Sequence, residues 1–250
     1  MKGVVLAGGK GVRMLPATKT TNKHLLPVYS KHKGAVPMIN YPIDTLLKLG
    51  IKDVLIITSR EHCGIITEYL GDGHDRGMTF TYKIQEMNDP DRPAGIASAL
   101  KLAQDFTHDE NFMVILGDNY YQWNYNFNAV VNEFTSKRIT DNKCGLFLYQ
   151  TDNWSQFGVA EFDGHNITRI VEKPTEYVSD YAVTGMYVYT PDVYQYIDKL
   201  EPSARGELEI SDINDMYIKK GLYYYQKFDT FWSDMGTPES MLKTIQHINE

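Results

Sequence analysis

The chain of 250 residues is poor in cysteine: Cys63 and Cys144 stand far apart, with no C-x-x-C spacing. That pattern excludes a disulfide framework and a cysteine zinc site, and it predicts a reduced, cytoplasmic protein. No apolar run approaches the roughly 20 residues of a membrane helix, so no membrane partner is expected. Met1-Lys2-Gly3 runs straight into the first apolar stretch, which predicts no secretory leader. Basic residues are also in deficit, with 25 Lys and Arg against 32 Asp and Glu. A nucleic-acid surface needs the opposite balance, so no nucleic-acid partner is expected either. The seven His follow no H-E-x-x-H spacing and read as mostly surface residues.

Against this background one stretch stands out, Leu6-Ala7-Gly8-Gly9-Lys10-Gly11-Val12-Arg13-Met14-Leu15-Pro16. It follows Gly3-Val4-Val5-Leu6, which reads as a buried first strand. Glycines remove the side chains that would hold a phosphate away from the backbone, and they permit positive φ angles that aim N–H groups at one point. Arg13 adds a rigid fork of donors, and Lys23 follows in Thr21-Asn22-Lys23-His24-Leu25-Leu26-Pro27. The stretch is neither a Walker A loop nor the dinucleotide G-x-G-x-x-G fingerprint. A tight turn after a strand is the plain alternative; the two cations favour a polyphosphate loop.

Alternation organises the N-terminal half. Pro37–Leu49 has helical spacing and stops at Gly50. Asp53–Thr58 is a continuous apolar strand of the kind a sheet covered on both faces requires. A helix over His62–Leu70, a strand over Thr79–Gln85, a helix over Ala94–Phe106 and a strand over Phe112–Leu116 follow. Right-handed crossovers then predict an α/β fold with a mostly parallel, doubly wound sheet, its ligands at the C-terminal ends of the strands. Beyond Tyr125 the pattern changes. Cys144–Gln150, Gly158–Phe162, Ile167–Glu172 and Tyr181–Tyr189 read as strands of an antiparallel or mixed sheet. Helices are expected over Asp192–Leu200, Glu209–Lys219 and Pro238–Ile248, and a strand through Tyr223-Tyr224-Tyr225. No linker divides the halves, so residues 1–250 read as one domain, with a nucleotide-binding half over 1–125 and a substrate half over 126–250.

A second set of residues carries chemistry. Asp118, in Gly117-Asp118-Asn119, follows a buried strand and suits either a turn cap or an oxygen ligand of Mg²⁺. Asp234 lies in Phe231-Trp232-Ser233-Asp234-Met235-Gly236-Thr237, where Ser233 or Thr237 would cap the next helix and leave the carboxylate free. Glu172-Lys173-Pro174 closes a strand, either as solvated charge or as a pair that meets sugar hydroxyls and a phosphate. Arg205 stands beside a helix start as a further anion contact. Together these groups fit nucleotidyl transfer, in which a sugar 1-phosphate attacks the α-phosphorus of a nucleoside triphosphate. With a second pKa of about 6 the phosphate is already largely dianionic at neutral pH. The protein then has to supply positioning and charge neutralisation.

The motifs Leu6–Pro16, Asn22–Val28, Gly71-Asp72-Gly73, Gly117-Asp118-Asn119, Phe157-Gly158-Val159, Glu172-Lys173-Pro174, Ala182-Val183-Thr184-Gly185, Pro202–Asn214 and Trp232–Thr237 stand in one order over nearly the whole chain. In this the sequence resembles the sugar nucleotidyltransferase family, and within it the glucose-1-phosphate thymidylyltransferase branch. The resemblance implies a Rossmann-like nucleotidyltransferase fold with a C-terminal mixed-sheet sugar-binding half. It implies dTTP and glucose 1-phosphate as substrates, with UTP or another sugar 1-phosphate, or a non-catalytic nucleotide-sugar binder, as alternatives. By the family's roles Leu6, Gly8, Gly9, Gly11, Val12, Arg13, Lys23, Gln85 and Gly95 hold the nucleotide. Asp118 and Asp234 ligate Mg²⁺. On the same resemblance Asn119, Gly158, Glu172, Lys173, Val183 and Arg205 would form the sugar-phosphate side. Arg13, Lys23, Asp118, Lys173 and Asp234 are the expected catalytic set, and a homo-oligomer is left open. Val12 replaces the family's usual Thr, Gln85–Gly95 is longer than the family spacing, and Lys31–Val36 looks inserted. The stop soon after the last helix resembles the family's short forms.

Overall fold

The computed structural model describes residues 1–86, 93–124, 127–129, 131–132 and 142–250. In chain order its elements begin with β1 (Lys2–Ala7), the hairpin strands β2 (Pro27–Ser30) and β3 (Gly34–Pro37), α1 (Asn40–Lys48), β4 (Asp53–Ser59), α2 (Cys63–Leu70) and β5 (Thr79–Gln85). The short helices α3 (Ile96–Lys101) and α4 (Gln104–Thr107) precede β6 (Phe112–Leu116) and β7 (Tyr120–Tyr121). There follow β8 (Cys144–Gln150), β9 (Gly158–Asp163), β10 (Asn166–Glu172), β11 (Tyr181–Tyr189), α5 (Val193–Ile197), α6 (Ile210–Lys219), β12 (Tyr223–Phe228), β13 (Trp232–Ser233) and α7 (Pro238–Asn249). The result is a mixed α/β fold with a largely parallel central sheet. The chain divides into two compact units that interleave along the sequence rather than parting at residue 125.

The first unit takes the described residues of Lys2–Met87, Ile115–Asn124 and Thr230–Glu250. Its strands lie in the order β6–β1–β4–β5, with the end of β6 beside β1. β1 and β4 are parallel, Gly3 opposite Val54 through Ala7 opposite Thr58, and β4 and β5 are parallel from Asp53 opposite Thr79 to Ser59 opposite Gln85. Val4, Val5 and Val54–Ile57 are fully buried, as unbroken apolar strands must be when both faces are covered. On α1, Ile43 and Leu46 are also fully buried; each such side chain contributes about 1.5–3 kcal/mol. A short antiparallel pair, β7 with β13, sets Tyr120 opposite Ser233 and Tyr121 opposite Trp232.

The second unit takes the described residues of Asn88–Val114 and Tyr125–Asp229. β8 is flanked by antiparallel β11 and parallel β12, and β9 and β10 form a hairpin in which Gly158 faces Glu172. α6 packs on β10, with Ile213 and Tyr217 in the core. Between Val183 and Tyr187 the register of β11 against β8 shifts, a bulge of the kind that re-aims side chains.

Three expectations change in detail. The helix predicted over Ala94–Phe106 starts at Ile96, because Ala94 bridges Glu207 in parallel and Gly95 takes φ 114°. It is interrupted after Lys101, where Leu102 and Ala103 donate to the carbonyls three residues back instead of four. The helix expected from Pro37 starts at Asn40, because Gly34–Pro37 pairs with Pro27–Ser30; the apparent insertion Lys31–Val36 is the turn and most of one strand of that hairpin. The helix over Asp192–Leu200 is confined to Val193–Ile197. The lengthened Gln85–Gly95 segment lies largely outside the described residues, which omit 87–92.

Candidate functional site

β1 ends at Ala7 and the glycine loop follows. A side chain at Gly8 would meet the Gln85 amide oxygen at 2.7 Å, so its absence lets Gln85, itself buried, approach the loop. Gly9 is exposed. Gly11 has φ 64° and caps the turn Val12–Met14; a Cβ there would lie 2.9 Å from Thr18 and 3.1 Å from the Lys23 side chain. Val12 points to solvent, whereas Met14 packs with Leu26, Val28, Met38 and Met235. Arg13 therefore rises from a turn anchored on the same cluster as Met235, the neighbour of Asp234. Its guanidinium lies 3.7 Å from the Asp234 carboxylate.

The carboxylates arrive from β6 and β13. The amide of Gly117 donates to the Leu6 carbonyl at 2.9 Å, which seats Asp118 at the end of β1. One Asp118 oxygen meets the Lys23 ammonium and the other accepts from the Asn119 amide at 2.9 Å. Asn119 is in turn held through its oxygen by the Trp232 indole N–H at 2.7 Å. The β7–β13 register carries the chain from Ser233 back toward Asn119, and so brings Asp234 into electrostatic range of Asp118. Burial alone would raise the Asp118 carboxyl, but Lys23, then His24 and the two hydrogen bonds, hold it below its ordinary value. The Asp234 carboxyl is raised, first by burial and next by the charge of Asp118.

Asp234 does not cap α7. Thr237 does, exchanging hydrogen bonds with Ser240 in a capping box. Among the described residues the Asp234 carboxylate accepts only the local Gly236 amide at 3.2 Å besides its approach to Arg13. A Cβ at Gly236 would sit 2.6 Å from both Arg13 and Asp234. Met235, fully buried, has φ 41°, a conformation that costs a non-glycine residue about 1–3 kcal/mol and clusters at functional sites.

These two carboxylates fit Mg²⁺. The ion takes one or two protein carboxylates and completes its shell with water and substrate phosphates, and no larger cluster of His, Cys, Asp and Glu occurs among the described residues. The Lys23 ammonium already occupies a cation position on Asp118, and the repulsion felt by Asp234 is what a divalent cation would relieve.

In the second unit, Glu172 ends β10 and Lys173 follows it. Lys173 has φ 44°, and its ammonium stands 3.5 Å from Glu172. Gly158 permits the close approach of Glu172, since a Cβ there would be 3.1 Å from its carboxylate. Arg205 is not a free anion contact. It makes a two-pronged pair with Glu209 at 2.8 and 3.2 Å and reaches Glu172 at 3.6 Å and Glu207 at 3.8 Å. Val183 is buried beside the β11 bulge. Gly95 abuts the backbone of Leu208, where a Cβ would fall 2.4 Å from the carbonyl oxygen. A cavity of about 890 Å³ lined by Asp105, His108, Asp192 and Tyr194 holds none of the residues the sequence pointed to.

Sequence reasoning gave His24 no role, the seven His reading as mostly surface residues. His24 is buried, its ring lies against Gly117, and its pKa is depressed to about 3, chiefly by burial and then by Lys23. Its position inside the Asn22–Val28 motif was the one available sign.

Comparisons with known proteins identify the family of the chain. The nucleotidyl transferase family profile matches residues 2–250. A glucose-1-phosphate thymidylyltransferase of Neisseria meningitidis is 38% identical over 99% of this chain and 84% of its own length. Agl11 of Haloferax volcanii, a low-salt glycan biosynthesis nucleotidyltransferase, is 36% identical over 100% of this chain and 66% of its own. A Bacillus anthracis protein bearing the thymidylyltransferase name, crystallised with sucrose, superimposes with a TM-score of 0.88 at 41% identity, covering 100% of this chain and 96% of that one. A UDP-glucose pyrophosphorylase with bound UDP-glucose shares the fold at 23% identity, with a TM-score of 0.82 over 98% of this chain and 97% of its own. With a profile spanning all but its first residue and relatives above one-third identity over nearly the whole of it, this chain belongs to the nucleotidyl transferase family.

Proposed function

We propose that the chain transfers thymidylyl from dTTP to glucose 1-phosphate, giving dTDP-glucose and pyrophosphate. The observation that carries this reading is the gathering of two cation–carboxylate pairs, Lys23 with Asp118 and Arg13 with Asp234, beside the Gly8–Gly11 loop. The thymidylyltransferase name of relatives at 34–38% identity supports the choice of substrates.

An oxygen of the glucose 1-phosphate forms the new bond to the α-phosphorus, the α–β bridging bond breaks, and pyrophosphate carries away the electron pair. Largely dianionic at neutral pH, the attacking phosphate needs no protein base. Arg13 and Lys23 neutralise the triphosphate and its leaving group, and the backbone of Gly8, Gly9 and Gly11 approaches it closely. Gln85, beside the Gly8 loop, borders the base. Glu172 accepts from sugar hydroxyls, with Gly158 and Val183 shaping that side. Lys173 meets the sugar phosphate; Arg205 reaches it only by exchanging a carboxylate partner. Mg²⁺, held by Asp118 and Asp234, would supply charge neutralisation at the reacting phosphates. A triphosphate substrate and two unpaired cysteines support a cytoplasmic location.

The test is pyrophosphate release from a panel of nucleoside triphosphates and sugar 1-phosphates, with and without a chelator. The expected result is the fastest release from dTTP with glucose 1-phosphate, abolished by the chelator. Absence of release with every pair would refute the reading.

A further inference from the structure

Lys23 meets Asp118 across 95 residues of sequence. A lysine side chain has many rotamers, so where its ammonium settles depends on how firmly its backbone is held. The turn that carries it, Lys23–Leu25, is only three residues long and draws no support from a helix. It is held from two sides. The His24 carbonyl accepts the Ile39 amide at 2.8 Å and the Leu26 carbonyl accepts the Met38 amide at 3.0 Å. Ahead of the turn, Asn22 accepts two hydrogen bonds on one side-chain oxygen, from the His24 backbone N–H at 2.8 Å and from the His24 ring at 2.7 Å.

The chemistry of this arrangement is determined. A backbone N–H can only donate, so the Asn22 atom that meets it is the amide oxygen, and the ring nitrogen at 2.7 Å from the same oxygen carries a proton. The amide keeps this orientation even though its buried nitrogen is left without a partner among the described residues. The far side of the His24 ring rests on Gly117, where a Cβ would be 2.8 Å from ring carbon Cδ2. One side chain thus joins the turn that presents Lys23 to the backbone that presents Asp118.

We propose that Asn22 and His24 are positioning residues, a hydrogen-bonded pair that sets where the Lys23 ammonium stands over Asp118 and so governs its contact with the nucleotide phosphates. This rests on the role proposed above for Lys23. Asn22→Ala should lower kcat/KM for dTTP about tenfold, leave KM for glucose 1-phosphate within about twofold, and be largely restored in Asn22→Asp, which keeps the acceptor. The decisive measurement is a double-mutant cycle. In a Lys23→Ala background, Asn22→Ala should change kcat/KM by less than about twofold, because residues acting through one another are not additive. A tenfold loss that persists without Lys23, equal losses for both substrates accompanied by a fall in melting temperature, or wild-type kinetics in Asn22→Ala would each overturn the proposal. Full activity of Lys23→Ala alone would overturn the role of Lys23, and this proposal with it. If Asn22→Ala does not fold, His24→Asn keeps a donor for Asn22 but removes the ring from Gly117. It should show the same dTTP-selective loss, and unchanged kinetics there would overturn the pair.

Discussion

Neutralising either member of the Lys23–Asp118 pair separates its electrostatic role from simple packing. Both side chains are about nine-tenths hidden, at 11% and 12% exposed. Removing one partner of a buried pair costs about 3–5 kcal/mol, since the other charge is left without compensation. The two changes are not equivalent here. Asp118→Asn keeps an oxygen for Lys23 and removes the negative charge that disfavours ionised Asp234, so its cost should fall near or below about 3 kcal/mol. Among the described residues Lys23→Met leaves two neighbouring carboxylates with only the cation of Arg13, half-exposed at 3.7 Å from Asp234, to balance them, and should cost the full range. At about 2–4 °C per kcal/mol for a chain of this size, Lys23→Met should melt roughly 6–20 °C below the parent and Asp118→Asn less far below. The double variant should be more stable than the sum of the singles predicts, by about 1.5–3 kcal/mol. The assay is thermal and denaturant unfolding at neutral pH without substrates, with kcat measured alongside; each single change should lower kcat about a hundredfold or more. Additive singles, or Asp118→Asn costing more than Lys23→Met, would refute this account of the charge balance.

Three further outcomes follow. Lys173→Gly removes the ammonium while suiting the positive φ, so KM for glucose 1-phosphate should rise about ten- to hundredfold with dTTP binding nearly unchanged and the melting temperature unmoved or higher; a selective loss of dTTP binding would contradict the assignment. Gly95→Ala drives a methyl into the Leu208 carbonyl at φ 114° and should destabilise by more than about 3 kcal/mol in denaturant titration; a change below 1 kcal/mol would show that the Gly95–Leu208 contact is looser than described. Initial rates with dTTP and UTP should differ by about ten- to two-hundredfold, the worth of one methyl group in an apolar pocket, and complete rejection of UTP would count against that argument.

Strands such as Phe112–Leu116 were legible in the sequence because burial on two faces demands unbroken apolar runs. Thr79–Gln85, Phe112–Leu116, Cys144–Gln150 and Tyr181–Tyr189 stand where their residue patterns place them. Helix stops at Gly50 and Gly71 were equally local, since each needs a positive φ. The hairpin over Pro27–Pro37 was not legible, being short, bounded by prolines and turned without an Asn-Gly signature. The order of the motifs, together with their residue types, likewise points to nucleotidyl transfer. Which charges face one another was decided elsewhere. Asp118 and Asp234 come together through the two-residue pairing of β7 with β13, Arg205 spends its guanidinium on Glu209, and His24 is drawn inside against Gly117. A side chain's charge and shape are properties of its own residue, whereas its burial, partners and proton affinity belong to whatever distant segment folds against it.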